Sequence, residues 1–443
     1  MVQLKKEILI VFCLISITVF SQERKWSLQD CVTHALNNNI TVKRTENQLL
    51  IDEQDVVAAK GRFLPSLSAS ASHGISLGQT ELFTGSFVNR TSHSTSFGVG
   101  SSATVFNGLR IKNSYELSKL NLETTNIELS KIKDDISLNV VDAYLRVLFN
   151  KENLEIAQVQ YEFSLKQLDQ VKGLVDAGVQ PRANIYDAEA TLSRDSQNVT
   201  VAENNYNLAL LSLSQLLQVP FEGFNVETIA VDTPSEALLY KTVTPVLNHA
   251  LGNRQEITLA ERNIEKASLN TEISKSGYYP SVSLSYGFGT SAFYSNLTDN
   301  EPEFLSQLND NKGHRFSLSL NIPVFSKFQN KTAVAKAKIQ EKNRQLDLEQ
   351  AKLTVESNIQ RAFTDAQAAF KTFEAAKKSL VSQELAFNNS KERYNIGSMT
   401  AYELEQARVA LINAQSSLIN AKYDFVFKTK VLDFYMGKTL TPR

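Results

Sequence analysis

The chain holds 443 residues, and its 46 Lys and Arg nearly balance its 47 Asp and Glu, which excludes a nucleic-acid surface built on net charge. Hydrophobic residues make up 42% of it, and the mean hydropathy is −0.22. Past about the first 20 residues no apolar run reaches the roughly 18 that a spanning helix needs, which excludes a helical inner-membrane protein.

At the N-terminus Lys5 and Lys6 precede the apolar run Ile8 to Phe20, which gives way to Ser21, Gln22 and a polar Glu23-Arg24-Lys25. That order predicts an export signal over 1–21, cleaved near Ser21 or Gln22. Cys13 follows bulky Phe12, where a lipoprotein site wants a small residue, so no acyl anchor is read. Cys31 is then the only cysteine of the mature chain. It allows no internal disulfide and no cysteine-built metal site, and reads as a buried apolar residue.

The rest of the chain is a tandem duplication. His34-Ala35-Leu36 returns 215 residues later as His249-Ala250-Leu251, and Pro65-Ser66 as Pro280-Ser281. Further on the spacing is 219: Val105-Phe106 meets Val324-Phe325, Gly178 meets Gly397, and Ala188 and Leu192 meet Ala407 and Leu411. The difference falls in 79–92 and 296–312, which are expected to be loops of unequal length. The predicted order is a first repeat over 22–217, a connector over 218–245 with Pro220, Gly223, Pro234 and Pro245, a second repeat over 246–437, and a tail over 438–443.

Residues 27–63 read as helical, with Ser27 as N-cap, a break at Asn37-Asn38-Asn39 and a stop at Pro65. A strand follows over 66–78, where Leu67, Ala69, Ala71, Ile75 and Leu77 alternate with Ser and Gly. After a polar loop (79–92) comes a strand over 93–106 with Phe97, Val99, Ala103 and Val105 on one face. The second repeat gives strands over 281–289 (Val282, Leu284, Tyr286, Phe288) and 314–325 (Phe316, Leu318, Leu320, Ile322, Val324). Strands of about 9–13 residues cross a bilayer when tilted.

After each second strand the period changes. Long helices are predicted over 107–175 and 326–395, and a helix of that length runs on the order of 100 Å. In the second, Ala366, Phe373, Leu380, Phe387 and Tyr394 fall seven residues apart, a coiled-coil seam. Turns at Gly178 with Pro181, and at Gly397, lead into return helices over 183–217 and 401–436. The first carries the heptad Ile185, Ala188, Leu192, Asp195, Val199, Ala202, Tyr206, and the second Leu404, Ala407, Leu411, Ala414, Leu418, Ala421, Phe425. Each is expected to pair with the long helix before it as a left-handed coiled coil.

Four amphipathic strands per chain cannot close a barrel, and open edges cannot face lipid. The chain must therefore pool strands with copies of itself, and the Ser- and Gly-rich face suits a wet lumen. The expected fold is mixed α and β: a long α-helical coiled-coil barrel joined to a transmembrane β-barrel built by oligomerisation. The function this implies is a passive conduit.

On Trp26-Ser27-Leu28, Ala35-Leu36-Asn37-Asn38-Asn39, Leu64-Pro65-Ser66, Pro323-Val324-Phe325 and Tyr394-Asn395-Ile396-Gly397, the chain resembles the TolC-like outer-membrane efflux proteins over about 27–437. The resemblance implies a homotrimer in the outer membrane, with twelve strands in one barrel and a helical tunnel in the periplasm. It also implies a periplasmic adaptor and an inner-membrane efflux pump or ABC transporter as partners. By spacing from Gly397, Glu403 and Gln406 take the two positions of the family's acidic ring at the periplasmic mouth. Tyr394 matches an aromatic of that gate, and Asn184 and Asp187 are the first-repeat equivalents. Two departures put a salt-bridged latch in doubt, while a ring of three Glu403 is still expected: Gln406 is not a carboxylate, and Met399 stands where a basic partner can be found. Glu403 also reads simply as a first-turn acid favoured by the helix dipole. The tips, Gly178, Pro181, Gly397 and Met399, are where the family's adaptor would dock. Leu284, Tyr286, Phe316, Leu318, Leu320 and Ile322 are expected to face lipid.

The five histidines, 34, 73, 93, 249 and 314, form no metal-ligand pair on one helix. No phosphate loop or nucleophile elbow occurs, so no enzyme activity and no cofactor is expected. Phe83, Phe87, Phe293 and Tyr294 read as an aromatic girdle or as loop packing. The competing function is a trimeric coiled-coil surface stalk or adhesin anchored by a β-barrel.

Overall fold

The computed structural model describes residues 25–228, 240–298 and 300–438. The export signal predicted over 1–21, part of the connector (229–239) and the end of the tail (439–443) lie outside the described residues. In chain order the elements are β1 (Lys25–Trp26), α1 (Leu28–Asn38), α2 (Ile40–Gly61), β2 (Ser66–Phe83), β3 (Ser86–Phe106), α3 (Arg110–Asp176) and α4 (Ala183–Leu217). Then come β4 (Asn225–Val226), α5 (Thr244–Asn253), α6 (Gln255–Lys275), a 3-10 turn (Ser276–Tyr278), β5 (Ser281–Ser295), α7 (Phe304–Asp310), β6 (Gly313–Asn321), α8 (Gln329–Asn395) and α9 (Ala401–Tyr435). They divide into two compact units, and each draws on both halves of the chain. A helical unit takes the chain up to Thr45, Leu129–Ile257 and everything from Lys352; a sheet unit takes Glu46–Glu128 and Thr258–Ala351.

In the helical unit Ser27 caps α1, accepting from the backbone N–H of Asp30 at 3.1 Å while the Asp30 carboxylate accepts from the N–H of Ser27. Asn39 then breaks the helix, and its side-chain oxygen accepts from the N–H of Thr41 at 2.8 Å to start α2. The core gathers Leu28, Cys31 and Ala35 of α1 with Val140, Tyr144 and Leu148 of α3 and Leu213 and Leu217 of α4. Cys31 is fully enclosed there, and burial pushes its thiol up to about 12. The connector is tied to the chain start: β4 pairs in parallel with β1, and Tyr144 Oη donates to the Glu227 carbonyl at 2.6 Å.

In the sheet unit the strands run β2-β3-β5-β6, every neighbour antiparallel. Several boundaries differ from the sequence reading. The expected loop at 79–92 is strand almost throughout: β2 reaches Phe83, β3 begins at Ser86, and Gly85 (φ 83°) makes the turn. The apolar alternation fades after Leu77, but a hairpin ladder needs only backbone groups and a turn residue that tolerates positive φ. β5 likewise runs on to Ser295. The strand expected over 314–325 stops at Asn321, because Pro323 has no N–H for the ladder; Ile322 lies just beyond it. The expected loop at 296–312 contains α7.

Each change from strand to long helix is made by two consecutive left-handed residues, Gly108-Leu109 (φ 66° and 65°) and Lys327-Phe328 (φ 48° and 64°). At Gly108 a Cβ would also lie 2.8 Å from Tyr279 Cβ and 2.9 Å from the Ser276 carbonyl oxygen. Gly108→Ala should therefore destabilise the protein by about 1–3 kcal/mol. Lys327→Gly, at the matching place in the second joint, should stabilise it by about 1 kcal/mol. Denaturant midpoints in detergent, followed by far-UV circular dichroism, check both signs. Two shifts of the same sign would refute the account.

Candidate functional site

The sheet has two chemically distinct faces. Register aligns Ser66, Ser102, Ser285 and Ser317 in one row across all four strands, and Ser68, Gly100, Gly287 and Arg315 in the next. Hydroxyls bridge strands on this face, with Ser66 Oγ 2.9 Å from Ser102 Oγ and Ser72 Oγ 2.7 Å from Ser96 Oγ. The other face holds Leu284 opposite Leu318, Val282 opposite Leu320, and Tyr286 opposite Phe316 with ring centroids 4.9 Å apart. Phe316 and Leu318 are more than two-thirds exposed in the single chain. A face this apolar and uncovered requires an apolar medium or a partner. Register also brings together groups that sequence spacing kept apart: the rings of His73 and His93 lie 5.8 Å apart, and His314 Nδ1 is 2.9 Å from Tyr286 Oη. Phe293 lies under Arg90 at 5.2 Å and points to the face opposite Tyr294, so the four expected girdle aromatics do not share one face.

In the helical unit both tips are built alike. The N–H of Gly178 reaches the Val175 carbonyl and that of Val179 the Leu174 carbonyl; Gly397 and Ser398 do the same with Tyr394 and Arg393. This is a Schellman cap with glycine left-handed at φ 74° and 75°, and no atom stands within 4 Å of where either Cβ would be. Conformation alone requires these glycines. Pro181 is exposed and Met399 half-buried just past the two caps.

Beside the tips, Asn184 and Asp187 of α4 line one cleft of about 280 Å³ together with Tyr394 of α8 and Gln406 of α9. Four of the five expected gate residues are thus neighbours. Tyr394 Oη is buried and lacks a hydrogen-bond partner among the described residues. Glu403 is not in the cleft lining. It closes a capping box at the start of α9, its carboxylate accepting from the Thr400 N–H at 2.9 Å and Thr400 Oγ1 accepting from the Glu403 N–H at 3.3 Å. The Thr400 backbone N–H holds this carboxyl below the usual carboxylate range.

Adjoining the cleft is a cluster that the sequence reading did not assemble. Arg408 of α9 is 1% exposed and Asp195 of α4 2%. Arg408 Nη1 donates to Asp195 Oδ2 at 2.8 Å, and its Nε and Nη2 grip Glu405 at 2.7 and 2.8 Å. Ser164 of α3 donates to Asp195, Gln160 accepts from Arg408 at 3.3 Å, and Arg194 pairs with Glu405. Desolvation opposes the charge on Arg408, but hydrogen bonds to Glu405 and Asp195 outweigh it and raise the pKa. Asp195 stands at a heptad position where an apolar residue belongs, and a buried acid there demands a cation; that was the available signal.

A sequence model of the family described as "Outer membrane efflux protein" matches residues 32–218 and 246–438. The outer membrane protein TolC of Salmonella enteritidis is 23% identical over 305 residues, covering 68% of this chain and 60% of its own length. TolC of Escherichia coli K12 is 23% identical over 342 residues, covering 74% and 68%. This chain therefore spans about two-thirds of these relatives. In three dimensions it is similar to the crystal structure of the Campylobacter jejuni CmeC outer membrane channel, with a TM-score of 0.78 at 17% identity over 94% of this chain and 87% of that one. At such identity the last likeness speaks for the fold.

Proposed function

The chain belongs to the outer membrane efflux protein family, and we propose that it is the outer-membrane exit duct of a tripartite efflux or type I secretion system. The family is one of channel components, not of enzymes. In this reading three copies pool twelve strands into one barrel, with the Leu284–Leu318 face in lipid and the serine rows lining water. A periplasmic adaptor would dock at the tips around Gly178, Pro181, Gly397 and Met399 and connect the duct to an inner-membrane pump or ABC transporter. The observation that carries the proposal is a sheet with one oily face, one Ser/Gly face and two unpaired edges, since only closure by further copies satisfies both edges in a membrane.

Purified protein in planar bilayers is expected to give long-lived single-channel currents, and absence of conductance from a stable oligomer would overturn the duct. We place the constriction at the cleft of Asn184, Asp187, Tyr394 and Gln406, with Glu403 about one helical turn before Gln406 on α9. Glu403 is held ionised below the usual carboxylate range, so its charge and its cap persist at neutral pH and fade only as pH falls through that depressed value. Block by multivalent cations should therefore survive mild acidification and weaken in Glu403→Ala. Equal block in both proteins would leave Glu403 a helix cap and nothing more.

A further inference from the structure

β6 is nine residues long while β2, at the other edge of the same sheet, has eighteen. When copies close into a ring, β6 of one meets β2 of the next, and whatever the register at least half of β2 then has no strand partner. Within one copy the same mismatch exists between β6 and β5, and the structure shows how it is met. Beyond Gly289, β5 has no β6 beside it. Its outward backbone groups are taken up instead by the 301–311 segment. Gln307 Oε1 accepts from the Phe293 N–H at 2.8 Å, Glu301 Oε1 accepts from the Ser295 N–H at 2.9 Å, and Asn311 Nδ2 donates to the Ser291 carbonyl at 2.7 Å. Residues 291, 293 and 295 are alternate positions, which all present their backbone to one edge. The segment centred on α7 therefore stands in for the missing half of β6.

Its far side is uncovered. Gln307, buried, faces β5; Leu305 sits roughly 200° around the helix from it and so points away from β5, in the direction where the next strand of a closed sheet would lie. Leu305 is 76% exposed, and Leu77 in the distal half of β2 is 77% exposed. We propose that α7 is a seam element between copies, packing Leu305 against the distal half of β2, around Ile75 and Leu77, of a second copy of this chain. The occupant is fixed by sheet order: on that side of β5 and β6 a closed ring can present only the β2 edge of the neighbour. This inference rests on the ring reading under Proposed function.

The test is cross-linking of the full chain in the outer membrane with a short bifunctional maleimide, read as covalent dimer and trimer on denaturing gels. Leu305→Cys combined with Leu77→Cys, and in parallel with Ile75→Cys, probes α7. Leu320→Cys combined with Leu67→Cys probes the β6 part of the same seam. Native Cys31 is fully buried, and single-cysteine variants set the background. Both kinds of pair should give covalent oligomers at least about tenfold over the singles. Cross-linking at Leu320 and Leu67 without any at Leu305 would overturn the α7 seam and leave the ring standing. No cross-linking at either place would overturn the ring and this inference with it.

Discussion

Arg408→Ala should cost about 3–5 kcal/mol of stability, the price of leaving a buried carboxylate without its cation. Among the described residues Arg408 reaches both Asp195 of α4 and, two-pronged, Glu405 of its own helix, and Arg408 and Asp195 meet at 1–2% exposure. Without the guanidinium, Asp195 keeps, among the described residues, the Ser164 hydroxyl, which cannot neutralise it. Arg408→Lys should recover only part of the loss, since an ammonium cannot fork onto two carboxylates. Arg408→Leu together with Asp195→Leu should come close to the parent, because removing both charges removes the desolvation cost as well. Equilibrium unfolding in detergent, monitored by circular dichroism, reads all three variants. A loss below about 1 kcal/mol in Arg408→Ala would mean that water reaches Asp195.

Leu318→Arg is expected to cost about 2–4 kcal/mol per chain and to deplete assembled oligomer from the outer-membrane fraction. Leu318 sits opposite Leu284 on the apolar face, flanked by the pairs Val282–Leu320 and Tyr286–Phe316. In the barrel proposed above, an arginine there would meet hydrocarbon. The control lies one residue away: Ser317→Arg projects to the opposite face, in the row beside the existing Arg315, and should assemble nearly as well as the parent. If the two variants deplete the oligomer equally, the assignment of faces is wrong.

Strong periodic signals were legible. The return helices fall at Ala183–Leu217 and Ala401–Tyr435, beside expected bounds of 183–217 and 401–436, because a heptad runs through each and a left-handed glycine turn precedes each. Ser27 as cap and the break at Asn39 were legible for the same local reason. Strand ends were not: 79–92 reads as loop because polar residues dominate it and its apolar ones, Leu82-Phe83 and Phe87-Val88, fall in adjacent pairs, not alternation, yet the pairing of Gln79 with Asn89 and Thr80 with Val88 continues the ladder regardless. Of the residues expected at a gate, the sequence named Asn184, Asp187, Tyr394 and Gln406 one by one through resemblance, and all four line one cleft. It could not pair Asp195 with Arg408, 213 residues away, because an ion pair between helices leaves no trace in the spacing along either one.

By itself the sequence determined the kinds of element, their order and their duplication, since alternation with period two and heptads with period seven are properties of single segments. Tertiary structure decided which segments share a unit. The repeats are contiguous in the chain, but each compact unit takes pieces of both, because a long helix whose apolar stripe passes from one unit to the other must find different neighbours along its length. It also decided that a short helix takes over half an edge of β5, where unpaired backbone groups, not side-chain pattern, set the requirement.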